Sequence, residues 1–255
     1  MPISPIPPSD EPADFRRQAG EYARYRRGYS DHLYDAVTAH TGPGAGRLAL
    51  DLACGTGLVL RDLAVRGWRT LGVDLSAPML AEVEDRGVGL VRARAEALPL
   101  RADLAALVTC GMGFHWMPAQ SALAELARVV RPGGWVALFW RYPLVDQIPG
   151  RLVREVLGEL GHPVPDGAFY VHGEAPFAGS PFEPLPPRRL EVPLRFTPRE
   201  YRGLVGTIEV IRRYAGADHA RVLARIGDAL ARELPATFEE VNEEFLFLGR
   251  LPGEA

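Results

Sequence analysis

Five short apolar runs, separated by amphipathic stretches between Arg47 and Trp140, constrain this chain more than any other feature. The runs are Leu48–Leu52, Thr70–Asp74, Gly89–Ala93, Ala105–Cys110 and Trp135–Trp140, each with the length and composition of a strand covered on both faces. Between them, Leu58–Arg66, Pro78–Arg86 and Ala119–Val130 place apolar residues at helical spacing. Alternation of this kind specifies parallel strands joined by crossover helices, an α/β fold. Ser76 stands where a helix N-cap belongs, two residues before Pro78. Arg131-Pro-Gly-Gly134 is expected to stop the third helix and turn the chain into the fifth strand.

Composition narrows the class of partner. With 255 residues the chain can bury the core of one large domain, or of a domain with an appended cap. Its 29 basic side chains are all arginine and face 32 acids, leaving a net charge of -3 without any basic run, so nucleic acid is excluded as an expected partner. Cys54 and Cys110 are the two cysteines, each at the end of an expected strand. They argue for a reducing, cytoplasmic setting and against a disulfide framework. No apolar stretch approaches a membrane span, and neither a CxxC pair nor clustered histidines suggest a metal. Residues 1–13, rich in proline, read as a mobile arm. After Tyr142 the rhythm changes. Residues 143–255 read as a cap plus the final strands, with an edge strand at Leu190–Phe196, helices at Arg199–Ala215 and Ala217–Leu234, and a last antiparallel strand at Phe245–Leu251. His162 and His172, with Tyr170, are candidates to line a substrate cavity there, or are surface loop residues.

The segment Asp51-Leu-Ala-Cys-Gly-Thr-Gly57 leaves the first strand and enters a helix through Ala53, Gly55 and Gly57, which let the backbone approach a ligand closely. A dinucleotide site wants a third glycine where this chain has Leu60, and no acid beside a pyrophosphate. Asp51 suits instead a ligand carrying an ammonium and a sulfonium, and S-adenosylmethionine is such a ligand. Asp74, at the tip of the second strand, is placed for the ribose hydroxyls, with Leu75 and Met79 as apolar surface for adenine. Cys54 in the loop and Cys110 at the end of the fourth strand join this cofactor-facing set as small side chains.

DLACGTG, GVDLSAPML at 72–80, AEALPL at 95–100, VTCGMGFHW at 108–116 and ELARVVRPGGWVALFW at 125–140 resemble the successive motifs of class I methyltransferases. The similarity is to the small-molecule branch containing the ubiquinone-biosynthesis and trans-aconitate types. It implies a Rossmann-like, doubly wound, mostly parallel seven-stranded sheet in the order 3-2-1-4-5-7-6, with residues 47–142 as cofactor core and a helical cap. It also implies that Gly55 and Gly57 face the methionine and ribose parts of the cofactor, Asp51 its amino group and Asp74 the ribose, while Ala95 and Glu96 border adenine. The family usually has Asp before that Ala-Glu pair, and here the residue is Arg94. YARYRRGYS at 22–30 is similar to a stretch that forms a helical lid in that branch, which makes residues 14–46 the expected lid. Tyr25 and Arg26 are then candidates for the cofactor, Arg26 for its carboxylate, and Tyr22 and Tyr29 for the substrate pocket.

Methyl transfer needs an oriented nucleophile, and a base only when the acceptor must lose a proton. His115, after the fourth strand, is the candidate base or orienting group, with capping of the helix beginning near Pro118 as the alternative role. Trp116 is read as a pocket wall. The expectation is a methyltransferase that uses S-adenosylmethionine, yields S-adenosylhomocysteine, acts on a small molecule and works as a monomer or homodimer. A nicotinamide-dependent oxidoreductase and a non-catalytic adenosylmethionine-binding protein are the competing readings.

Overall fold

The computed structural model describes residues 18–85, 87–144, 146–165 and 173–253. The expected N-terminal arm, Tyr170 and His172 lie outside them. Elements follow in the order α1 (Ala19–Tyr25), α2 (Asp31–Thr41), β1 (Leu48–Leu52), α3 (Leu58–Val65), β2 (Arg69–Asp74), α4 (Ala77–Ala81), β3 (Gly89–Arg92) and β4 (Ala105–Gly111). A 3-10 turn (Phe114–Trp116), α5 (Ala119–Val129), β5 (Val130–Pro143) and α6 (Ile148–Glu159) come next. The chain finishes with β6 (Glu183–Pro184), β7 (Arg188–Phe196), α7 (Pro198–Gly206), α8 (Glu209–Ala215), a further 3-10 turn (Gly216–Asp218), α9 (His219–Glu233) and β8 (Phe238–Arg250).

The sheet order is β3-β2-β1-β4-β5-β8-β6, with β7 also paired to β8. Apart from the two-residue β6, this is the expected order, with β7 and β8 as the sixth and seventh strands. β1 pairs in parallel with β2 on one side and β4 on the other, and it shows no alternation of buried and exposed positions, because four of its five residues are buried. Such a strand buries both faces under helices, which is why it reads as a continuous apolar run.

Three expectations shift. Arg131–Gly134 does not precede β5 but bulges within it, since Ala105 pairs with Val130 and the register then jumps to Leu107 with Trp135. Gly133 takes φ +74°, and a Cβ on Gly134 would meet Val130 and the Arg131 carbonyl within 2.8 Å. Turn chemistry is thus used to pucker a strand. The single helix expected at 199–215 is two, because Thr207 closes α7 by donating its hydroxyl to the Leu204 carbonyl and accepting from Arg26 Nε. The α4 helix stops at Ala81, although Ser76 caps it as expected by accepting from the Met79 N–H.

Two compact units divide the described chain. One comprises residues 27–141, 173–190 and 244–253, and its core gathers Leu33 and Val37 of α2, Leu63 of α3, Leu107 of β4, Phe139 of β5 and Leu246 of β8. The other comprises residues 18–26, 142–165 and 191–243, with Leu157, Val205, Ile211, Ile226, Leu230 and Phe196 at its centre. Full burial of each such side chain is worth about 1.5–3 kcal/mol. No helix among the described residues is long and apolar enough to cross a membrane.

Within the first unit, a polar tie joins three distant stretches. Glu244 of β8 is fully buried, and its carboxylate accepts from the Ser30 N–H at 3.0 Å, the Ser30 hydroxyl at 2.6 Å and Arg141 Nε at 3.0 Å. Arg141 in turn donates to the Gly28 carbonyl at 2.5 Å and stacks 4.7 Å from the Tyr29 ring. Removing one member of a buried pair leaves the other charge without its compensation. Glu244→Ala should therefore lower the unfolding free energy by about 3 kcal/mol, read as a reduced denaturant midpoint, whereas an exposed pair such as Arg225 with Glu159 should change it by less than about 1 kcal/mol.

Candidate functional site

The carboxyl ends of β1, β2 and β4 lie side by side, with Asp51 opposite Gly72 on one neighbour and Thr109 on the other. Open α/β sheets bind ligands at this edge. After β1 the chain turns through Ala53 (φ 54°), Gly55 (φ 53°) and Gly57 (φ 83°), and Gly57 caps α3. A left-handed conformation is costly at Ala53 and free at the glycines. The turn is held by bonds from Cys54 N–H to the Val73 carbonyl and from Gly57 N–H to the Cys54 carbonyl.

Asp74 braces this loop from β2. Its Oδ2 accepts from the Gly55 N–H at 2.9 Å and its Oδ1 from the Ser76 N–H at 2.8 Å. Burial raises its proton affinity, and these backbone bonds oppose that rise. Asp51 is more deeply placed, at 1 % exposure, and Oδ1 accepts from the Thr109 hydroxyl at 2.7 Å. Loss of solvent pushes its pKa up to about 8, against the Thr109 bond and aided by the charge of Asp74. Thr109 carried no motif of its own in the sequence beyond being polar inside an apolar strand.

The loop presents an open face at Gly55, where an added Cβ would meet nothing within 4 Å. Beside it the Thr56 hydroxyl oxygen is buried without a hydrogen-bond partner. A desolvated carboxyl, an unpartnered hydroxyl and open backbone fit a ligand that brings positive charge and hydrogen-bonding groups to this edge. Leu75 is 52 % exposed next to the loop, whereas Met79 is buried. Ala95 is also buried, and Arg94 Nε donates to Glu96 Oε1 at 2.5 Å. The Glu96 carboxyl is held below its usual range first by its own N–H and then by Arg94. Burial pushes the Cys54 and Cys110 thiols up, so both stay protonated and act as small apolar side chains.

The segment after β4 abuts the loop directly. A Cβ on Gly113 would lie 2.6 Å from Ala53 Cβ, and one on Gly111 would lie 2.9 Å from the Tyr29 hydroxyl. Tyr29 meets Phe139 edge-on at 4.6 Å, so it stands over the end of β4. Met112, like Ala53, is a non-glycine residue at positive φ, 53°. His115 accepts at Nδ1 from the Trp140 indole N–H at 3.2 Å and packs at 4.7 Å against Trp116, which is 39 % exposed. The helix that begins at Ala119 has Pro118 at its N-cap position and no side-chain cap, so His115 does not serve there.

Tyr22, Tyr25 and Arg26 belong to the other unit. Arg26 Nε donates to the Thr207 hydroxyl at 2.8 Å and Nη2 to the Thr207 carbonyl at 3.0 Å, while its guanidinium lies 5.0 Å from the Tyr22 ring. Tyr25 packs on Gly203 of α7, where a Cβ would come within 2.5 Å of its ring. His162 pairs with Asp218 at 3.2 Å in the same unit.

Comparison with known proteins agrees with this geometry. Residues 50–138 match the methyltransferase-domain family. An uncharacterized methyltransferase of Mycobacterium tuberculosis is 33 % identical over 162 residues, covering 62 % of this chain and 64 % of that protein. The malonyl-[acyl-carrier protein] O-methyltransferase of Salmonella typhimurium is 36 % identical over 129 residues, 49 % of this chain and 51 % of its own length. The chain thus spans less than two thirds of these relatives. A solved structure from Anaeromyxobacter dehalogenans, a candidate type II methyltransferase, superposes with a TM-score of 0.71 at 24 % identity over 90 % of this chain and all of that one, a likeness of fold. The stretch at 50–138, which contains the braced loop, Asp74 and the segment after β4, is thus similar to a methyltransferase domain, and the chain has the Rossmann-like α/β fold of that neighbour.

Proposed function

We propose that this chain is an S-adenosylmethionine-dependent methyltransferase acting on a small-molecule acceptor. The observation that carries the reading is the buried Asp51 carboxyl beneath an open, left-handed glycine loop braced by Asp74. When bound, S-adenosylmethionine supplies a methyl group on a sulfonium, primed for in-line displacement. Asp51 answers the cationic amino end of the ligand, and Gly55 and Gly57 let the backbone approach it. Asp74 uses one lone pair of each oxygen on Gly55 and Ser76, leaving others for ribose hydroxyls. Exposed Leu75 flanks adenine with Ala95 and Glu96, and Tyr29 with Trp116 walls the acceptor side. The nicotinamide reading is disfavoured because Gly55 N–H, which a pyrophosphate cradle needs, is spent on Asp74.

Titration calorimetry with S-adenosylmethionine and S-adenosylhomocysteine tests the proposal, and absence of binding by both sinks it. Asp74→Ala should raise Kd by about ten- to a hundredfold, the worth of one charged hydrogen bond or slightly more.

Asp51 adds a test in pH. The folded carboxyl, raised to about 8, keeps a proton that the unfolded side chain releases near 3.8. The folded chain therefore binds more protons between these values, and stability falls as pH rises from about 4 towards 8. Asp51→Asn keeps an acceptor for Thr109 and never ionises, so its denaturant midpoint should be flatter over that range, while its affinity for the cationic cofactor drops. Wild-type binding near pH 7 should also release a proton, seen as a binding heat that changes with the ionisation enthalpy of the buffer. A heat independent of buffer would show that Asp51 is already ionised or stands apart from the ligand.

A further inference from the structure

We infer that His115 is a positioning residue, a fixed N–H donor towards the methyl acceptor, and that Trp140 decides which of its ring nitrogens carries the proton. The role towards an acceptor rests on the function proposed above, whereas the tautomer does not.

An indole N–H only donates. Trp140 Nε1 lies 3.2 Å from His115 Nδ1, so Nδ1 must offer its lone pair and the proton of the neutral ring sits on Nε2. An imidazolium would set one N–H against another, so the same contact opposes protonation. Trp140 is 1 % exposed on β5 and meets Phe247 edge-on at 5.7 Å, which leaves the indole little room to turn away. Trp116 covers a face of the imidazole at 4.7 Å. Burial also drives the ring's pKa down to about 4, with no charged side chain contributing. His115 is thus neutral at pH 7.

The remaining nitrogen is available. Among the described residues Nε2 has no hydrogen-bond partner, and it is not sealed from solvent. It lies two residues beyond Gly113, whose contact with Ala53 sets this turn against the cofactor loop. A general base needs a free lone pair, and His115 has none, because one nitrogen is engaged by Trp140 and the other is protonated. What it offers is a donor. The group seated there must accept, as a carboxylate, carbonyl or phenolate oxygen does, and an ammonium does not fit.

The full-length protein labelled with 15N-histidine gives the test. Two-bond proton–nitrogen correlations of His115 should show the Nε2–H form alone, without titration, from about pH 5.5 to 8.5. The Trp140 indole proton should exchange slowly in the wild type and in His115→Asn, whose Oδ1 accepts at the same place. In His115→Ala exchange should be about tenfold faster, the loss of one hydrogen bond. An Nδ1–H or protonated ring in that range, or indole exchange indifferent to His115→Ala, overturns the tautomer assignment. The positioning role is read separately, on protein loaded with S-adenosylhomocysteine. Benzoate should displace the Nε2–H resonance saturably while benzylammonium leaves it in place, and a response to benzylammonium alone, or to neither probe, overturns that role. Failure of cofactor binding in calorimetry leaves the tautomer measurement intact, so the two readings fail independently.

Discussion

One carboxylate spanning two turns sets the geometry of the carboxyl edge. Asp74 takes the N–H of Gly55 with one oxygen and that of Ser76 with the other, so the tip of β2 determines both the loop after β1 and the start of α4. Left-handed backbone at Ala53 is an unfavourable state that persists only where its surroundings over-determine it. Bonds from Cys54 N–H to the Val73 carbonyl and from Gly55 N–H to Asp74 hold the turn that follows it, and Gly113 of the segment bearing His115 packs against Ala53.

The acids of this edge differ in kind because their surroundings differ. Asp74 is met by backbone donors and retains spare lone pairs, whereas Asp51 is enclosed and has the Thr109 hydroxyl at 2.7 Å. A carboxyl kept neutral by burial ionises when a cation enters beside it, since the cation offsets the cost that holds the proton on. The cysteines around it, held protonated by the same burial and by these acids, contribute shape and no charge.

Legibility followed the range of the interactions. Strands β1 and β4 could be read because their nearly complete burial leaves a continuous apolar signature, and Ser76 could be read because capping acts over three residues. The loop at 51–57 was visible for the same local reason. Pairings across strands leave no such trace. Thr109 meets Asp51 across 58 positions and Trp140 meets His115 across 25, so neither partner stood out along the chain. The pucker at Arg131–Gly134 used residues that also make turns, and only the register of β4 against β5 tells the two apart. The break at Thr207 likewise depends on Arg26, which is 181 positions away.

The tie through Glu244 has a consequence in time. A chain made from its amino end completes β1 to β4, the braced loop and both acids while Glu244 is still unmade. Arg141 then waits for a partner 103 positions downstream, and Ser30 for one 214 positions away. Closing loops of such length carries an entropic cost before any contact repays it. The order of synthesis therefore places the carboxyl edge of the sheet among the first parts able to form, and the seating of Tyr29 and residues 27–30 among the last.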